Sequence, residues 1–108
     1  MDEIITNEQG GRQSKIEGRC TELPPLAMIE LSKVMGKGSE VYPREPDGSP
    51  NWHRIDYISN LDHCLEHAFN FLAEKNKPDR DKAKMREELS HCAARATMAL
   101  EMWLKENE

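Results

Sequence analysis

Residues 57–74 read YISNLDHCLEHAFNFLAE, and no other stretch restricts the fold as much. Ile58, Leu61, Leu65, Ala68 and Leu72 recur at steps of three and four. That spacing lays them on one stripe of an α-helix, turned toward a partner. Asp62, His63, Glu66, His67 and Asn70 fall elsewhere on the same cylinder, with His63 and His67 one turn apart. The rest of the chain must supply what the stripe packs against and what closes over the polar side.

A second long helix follows the Lys77-Pro78-Asp79 break, with Asp79 or Asp81 as its cap, and runs to about Lys105. Met85, Leu89, Cys92, Ala96, Leu100 and Trp103 form its main stripe, and Ala94, Met98 and Met102 a second one. The small Ala93, Ala94, Ala96 and Ala99 let another helix come close. A helix apolar on two sides is not satisfied inside one small subunit, which predicts packing between subunits. Upstream, Leu23-Pro24-Pro25 opens a short helix that the spacing ends near Met35, with Gly36 and Gly38 as the stop. Residues 39–50 (SEVYPREPDGSP) are a Pro/Gly-rich loop with an Asp47-Gly48 turn, pinned by Trp52. Residues 1–22 read as a flexible or partner-ordered arm, in which Gly10-Gly11 followed by Arg12 can wrap an anion through backbone N–H groups. The expected fold is all-α: a short helix plus two long antiparallel helices in a domain spanning residues 23–108, assembled as a homo-oligomer.

Composition narrows the function. The chain has 108 residues, enough for one domain, with 37% hydrophobic and 32% charged residues, so a lone subunit has a thin core. The net charge of −5 comes with no basic cluster, which argues against a nucleic acid polymer as partner. A local pocket can still be basic and hold a small anion. Three cysteines without a CxxC pair suit free thiols in a reducing cytoplasm. No apolar run approaches the ~20 residues of a membrane span, and no signal peptide opens the chain.

Two groups of side chains can carry chemistry. His63-Cys64-Leu65-Glu66-His67 matches the H-x-x-E-H pattern of inverted zinc peptidases, but the downstream acidic ligand of such enzymes is missing. Glu87, Glu88, His91 and Arg95 gather on the last helix. If the two long helices run antiparallel, these residues can meet Glu66, His67 and Asn70 across a groove. Carboxylates so gathered can bind Mg²⁺, and Arg95 can pair with a phosphate. The plain alternative is a solvated polar face with charge pairs one turn apart.

Several pieces, taken in order, resemble a known bacteriophage domain, the N-terminal domain of dATP/dGTP diphosphohydrolases. They are Gly10-Gly11-Arg12, Leu23-Pro24-Pro25, the run IELSKVMGKGSEVY, Asn51-Trp52, the helix with Glu66-His67, and EELSHCAARA. Asn51-Trp52, His67 and His91 fall on the family's pattern; Val41, Glu66 and Ala94 stand where it usually has lysine, arginine and histidine. The EELSH segment is also similar, more loosely, to the E-E-x-x-D motif of all-α nucleotide pyrophosphohydrolases. The resemblance implies a phage-type protein that binds a purine (deoxy)nucleotide and hydrolyses it with Mg²⁺. In that scheme Glu66, Glu87 and Glu88 hold the metal, and Glu66, His67, Glu87 and His91 serve catalysis. Arg12, Lys15 and Arg95 meet the phosphates and Trp52 the base. The chain ends after this one domain, so work done by a second domain is expected to be absent. A non-catalytic module, such as a nucleotide sponge, an accessory subunit or an inhibitor of a host protein, is the rival expectation.

Overall fold

The computed structural model describes residues 3–108 and is mostly helical. Strands β1 (Ile4–Thr6) and β2 (Arg12–Ser14) pair antiparallel, with Ile4 opposite Ser14 and Thr6 opposite Arg12. Helix α1 covers Pro25–Val41, α2 covers Tyr57–Lys75 and α3 covers Lys82–Asn107. Short 3-10 turns lie at Cys20–Glu22 and Asn51–Arg54. No helix among the described residues is long and apolar enough to cross a membrane.

The β1–β2 hairpin has no counterpart in the expectation for residues 1–22. Asn7 organises its turn: the side-chain Oδ1 accepts from the N–H groups of Gln9 (3.0 Å) and Gly11 (2.8 Å). Gly10 has φ 85°, a conformation that a side chain would strain. The N–H of Gly10 goes to the Asn7 carbonyl at 3.1 Å. The backbone donors expected to wrap an anion are thus spent on Asn7, and that expectation fails. Every hairpin residue is exposed.

Helix α1 also differs from its expectation. It passes through Gly36 and Gly38 and ends at Val41. Neither glycine has positive φ, and the helix closes with the Tyr42 N–H on the Gly38 carbonyl at 2.8 Å. The stop is Pro43, which cannot donate the next bond and disfavours helical geometry in the residue before it. The loop that follows is tied internally. Ser49 donates to Asp47 Oδ1 through its N–H (2.9 Å) and hydroxyl (2.5 Å), and Arg44 Nη1 donates to the Gly48 carbonyl at 2.6 Å.

Helices α2 and α3 form the body as an antiparallel hairpin. Asp56 caps α2 by accepting from the Ser59 N–H at 2.7 Å, and Asp81 caps α3 by accepting from Ala83 (2.9 Å) and Lys84 (3.3 Å). Packing reverses the expectation drawn from the apolar stripe. Ile58, Leu61, Leu65 and Leu72 are exposed, whereas Asn60 and Glu74 are buried against α3. Helix α1 packs mainly on α3, where Ala94 and Met98 are buried, and the Glu30–Arg86 ion pair ties the two helices at the surface. The buried apolar side chains among the described residues are Ala94, Met98 and Ala99.

Two stability outcomes follow. Ala94→Leu forces extra volume into a position that is 1% exposed and should cost about 1–3 kcal/mol in urea unfolding. Gly36→Ala should instead raise stability by about 0.5–1 kcal/mol, because an added Cβ meets nothing within 4 Å and helix entropy improves.

Candidate functional site

The α2–α3 contact carries a ladder of polar pairs. Asn60, His67 and Glu74 recur every seventh residue on α2; Asp81, Glu88 and Arg95 do so from the cap through α3. Antiparallel packing sets them rung against rung. Arg95 Nη1 donates to Asn60 Oδ1 at 3.1 Å, and Asn60 Nδ2 donates to the Asp56 carbonyl at 3.4 Å. His67 Nδ1 stands 2.7 Å from Glu88 Oε2. An ionised carboxylate can only accept, so this nitrogen carries the proton and leaves Nε2 for another partner. Asn70 Nδ2 reaches the same Glu88 oxygen at 3.5 Å. At the turn, Glu74 Oε2 accepts from the Asp81 N–H at 3.0 Å, with Lys77 and Lys84 3.3 and 3.5 Å from its Oε1.

These contacts shift two carboxyls. The Asp81 N–H, then Lys77 and Lys84, hold Glu74 below its ordinary value of 4.5. The His67 hydrogen bond, with help from Asn70 and Lys84, does the same for Glu88, and partial burial opposes both shifts. Between the Asn60–Arg95 and His67–Glu88 rungs, Cys64 and Cys92 place their sulfurs 3.7 Å apart as free thiols, and burial pushes the Cys92 thiol up.

One side of this hairpin opens into a cleft. Its cavity of about 1150 Å³ lies between the C-terminal half of α1, the loop with its 3-10 turn, and the polar edge of α2–α3. Lys33, Lys37, Arg44 and Arg95 line it, against the single carboxylate Glu87. Tyr42 and Trp52 supply aromatic surface, and His63 and His91 add imidazoles. An adjoining recess of about 430 Å³ shares Arg44, Trp52 and Met98. Trp52 is half-buried and edge-on to His53, with ring centres 4.4 Å apart. Arg95 belongs to both features: Asn60 holds one of its nitrogens, and its side chain lines the cleft.

The residues singled out from sequence divide accordingly. Trp52, Glu87, His91 and Arg95 line the cleft. His67 and Glu88 sit behind it, with the His67 and His91 ring centres 5.2 Å apart. Glu66 is exposed on α2 and is not part of the cleft wall. Arg12 and Lys15 lie on or beside β2, and Lys15 pairs with Glu3 at 3.4 Å. Among the described residues no three His, Cys, Asp or Glu side chains stand where one ion could bind them all. Glu66, Glu87 and Glu88 therefore make no ready Mg²⁺ cage within the subunit. His63 and His67 likewise part company, one into the cleft and one onto Glu88. Sequence reading missed Asn60, Lys33, Lys37 and Arg44. The seven-residue spacing of Asn60, His67 and Glu74 was the available signal for the first.

Asn60→Leu should cost about 1–3 kcal/mol in chemical unfolding, because it strips Arg95 of its buried acceptor. The acid limb has a defined sign. Glu74 and Glu88 have native values below the unfolded 4.5, so their stabilisation is complete above that pH and is lost as pH falls through the native values. Glu74→Gln and Glu88→Gln should lower the melting temperature at neutral pH and flatten its fall between about pH 5 and 3.

A family model described as dATP/dGTP diphosphohydrolase, N-terminal, matches residues 7–108. No curated protein and no solved structure matches the chain. The match takes in the β2 strand, all three helices and every residue lining the cleft. The chain therefore belongs to the dATP/dGTP diphosphohydrolase N-terminal family.

Proposed function

We propose that this protein binds a purine deoxynucleoside phosphate in the cleft between α1 and the α2–α3 hairpin. The observation that carries the reading is the charge of the cleft. Four cationic side chains, of which Lys33 is paired with Glu30 at 3.5 Å, line the cleft with one carboxylate in a chain whose net charge is −5. Such a local excess of positive charge favours a compact anion over a polymer. The cavity also has room for a base and sugar, and Trp52 offers an aromatic surface of the kind on which bases stack. The family name supplies the ligand class, dATP or dGTP. In this reading Arg95 and Arg44 meet phosphate oxygens through charge-assisted hydrogen bonds, and Lys33 and Lys37 add point charges at the rim.

Turnover, as a diphosphohydrolase, joins a water oxygen to the α-phosphorus while the bond to the β-phosphate oxygen breaks and pyrophosphate leaves. In this reading Glu87 and His91, one helical turn apart and both lining the cleft, take the proton from that water. His67, fixed by Glu88, backs His91 from behind. No step is assigned to Mg²⁺, because the carboxylates expected to hold it are dispersed or already engaged. That same dispersal favours a second reading, a binding module without turnover.

Calorimetric titration with dATP and dGTP tests the proposal. Binding should weaken about tenfold or more in Arg95→Ala, as loss of a charge-assisted contact requires. Trp52→Ala should lose a similar factor through stacking. Lys37→Ala, at an exposed position, should leave the fold intact and weaken binding by a smaller factor. Absence of heat and of any thermal shift with either nucleotide would sink the proposal. Pyrophosphate release that stops in Glu87→Gln assigns turnover to the site; binding without release assigns the module.

A further inference from the structure

The face of the α2–α3 hairpin turned away from the cleft is apolar and open. On α2, Ile58, Leu61, Leu65, Phe69 and Leu72 are between 41% and 66% exposed. At 100° per residue they lie on the side of α2 opposite His63, Asn60 and His67. On α3, Leu89, Leu100 and Trp103 are 53%, 58% and 46% exposed, and Ala93 and Ala96 lie bare between them. This α3 stripe is turned away from Ala94 and Met98, which line the cleft. The α2 stripe is thus turned away from α3 and from the cleft, and the α3 stripe away from the cleft wall, so neither lies on the side of the hairpin that carries α1.

We infer that this face is the contact between two copies of the chain, which pair hairpin to hairpin as a four-helix bundle. Three quantities select a second copy. The eight large side chains of the two stripes leave on the order of 850 Å² bare per subunit, above the 300–600 Å² of a typical monomer's largest patch and close to the roughly 800 Å² each partner gives a standard interface. The accessible surface is 8863 Å², whereas a compact monomer of 12.4 kDa exposes about 6,100 Å². The radius of gyration is 18.2 Å, against about 13 Å for a compact domain of this length. The subunit thus exposes more surface than a compact monomer of its size, part of it on the arm of residues 3–24. Shape favours self-pairing as well. Bulky Leu65 and Phe69 on α2 make a ridge, and Ala93 and Ala96 on α3 make a notch. An isologous pair seats each copy's ridge in the other's notch, satisfying the contact twice. Both clefts then face outward, each complete within its own subunit.

Sedimentation equilibrium on the intact chain tests the pairing. The wild type should sediment at twice 12.4 kDa at micromolar concentration, and its melting temperature should rise with concentration. Leu65→Glu and Ala96→Glu each place a charge on the shared face. Either should halve the mass, and helical circular dichroism should persist or be lost together with the dimer. A wild-type particle of 12.4 kDa with full helicity and a concentration-independent melting temperature overturns the inference. So does an assembly of any size that survives both substitutions.

Discussion

The polar ladder between α2 and α3 sets everything else in place. A helical hairpin held only by leucines can slide by a turn with little penalty. Here a slip would separate Arg95 from Asn60 and Glu88 from His67 at once, leaving buried or half-buried polar groups without partners. Such groups are expensive to strand, so the ladder fixes register more than it adds net stability. With the register fixed, Glu87, His91 and Arg95 are delivered to one wall, and α1 and the loop bring Lys33, Lys37, Arg44 and Trp52 to the other.

The ladder also explains an inversion in the packing. Apolar residues usually turn inward and polar residues outward. In α2 the inward side is Asn60, His67 and Glu74, and the leucines face out. One chain therefore carries two contrasting surfaces: a polar seam that aligns its own helices and builds the cleft, and a set of apolar side chains left exposed.

Much of this was legible in the amino acids, for reasons that can be named. The 3.6-residue period and the proline breaks marked both long helices, and short acidic side chains that accept from first-turn N–H groups narrowed the cap to Asp79 or Asp81, of which the structure uses Asp81. Gly10-Gly11, Asn51-Trp52 and the two histidines carried the family. What escaped depended on geometry between distant segments. Gly36 and Gly38 looked like a helix stop because local propensity is a weak prior, and Pro43 proved to be the real one. Glu66 sat in a dense polar motif, yet its angular position on α2 takes it away from the cleft. Lys33, Lys37 and Arg44 are spread through a segment that reads as ordinary surface until α1 folds over α3.

Helix α1 has no fully buried residue and meets the body mainly at α3, with the Glu30–Arg86 pair across the two helices. The hairpin beneath it is knit along its length. The two parts of the cleft thus differ in rigidity: one wall is anchored, and the other is the segment of the helical body that detaches at least cost. An occupant of the cavity that bridges Arg95 on the fixed side to Lys37 on the loose side acts as a clasp, so the order of α1 becomes a readout of occupancy.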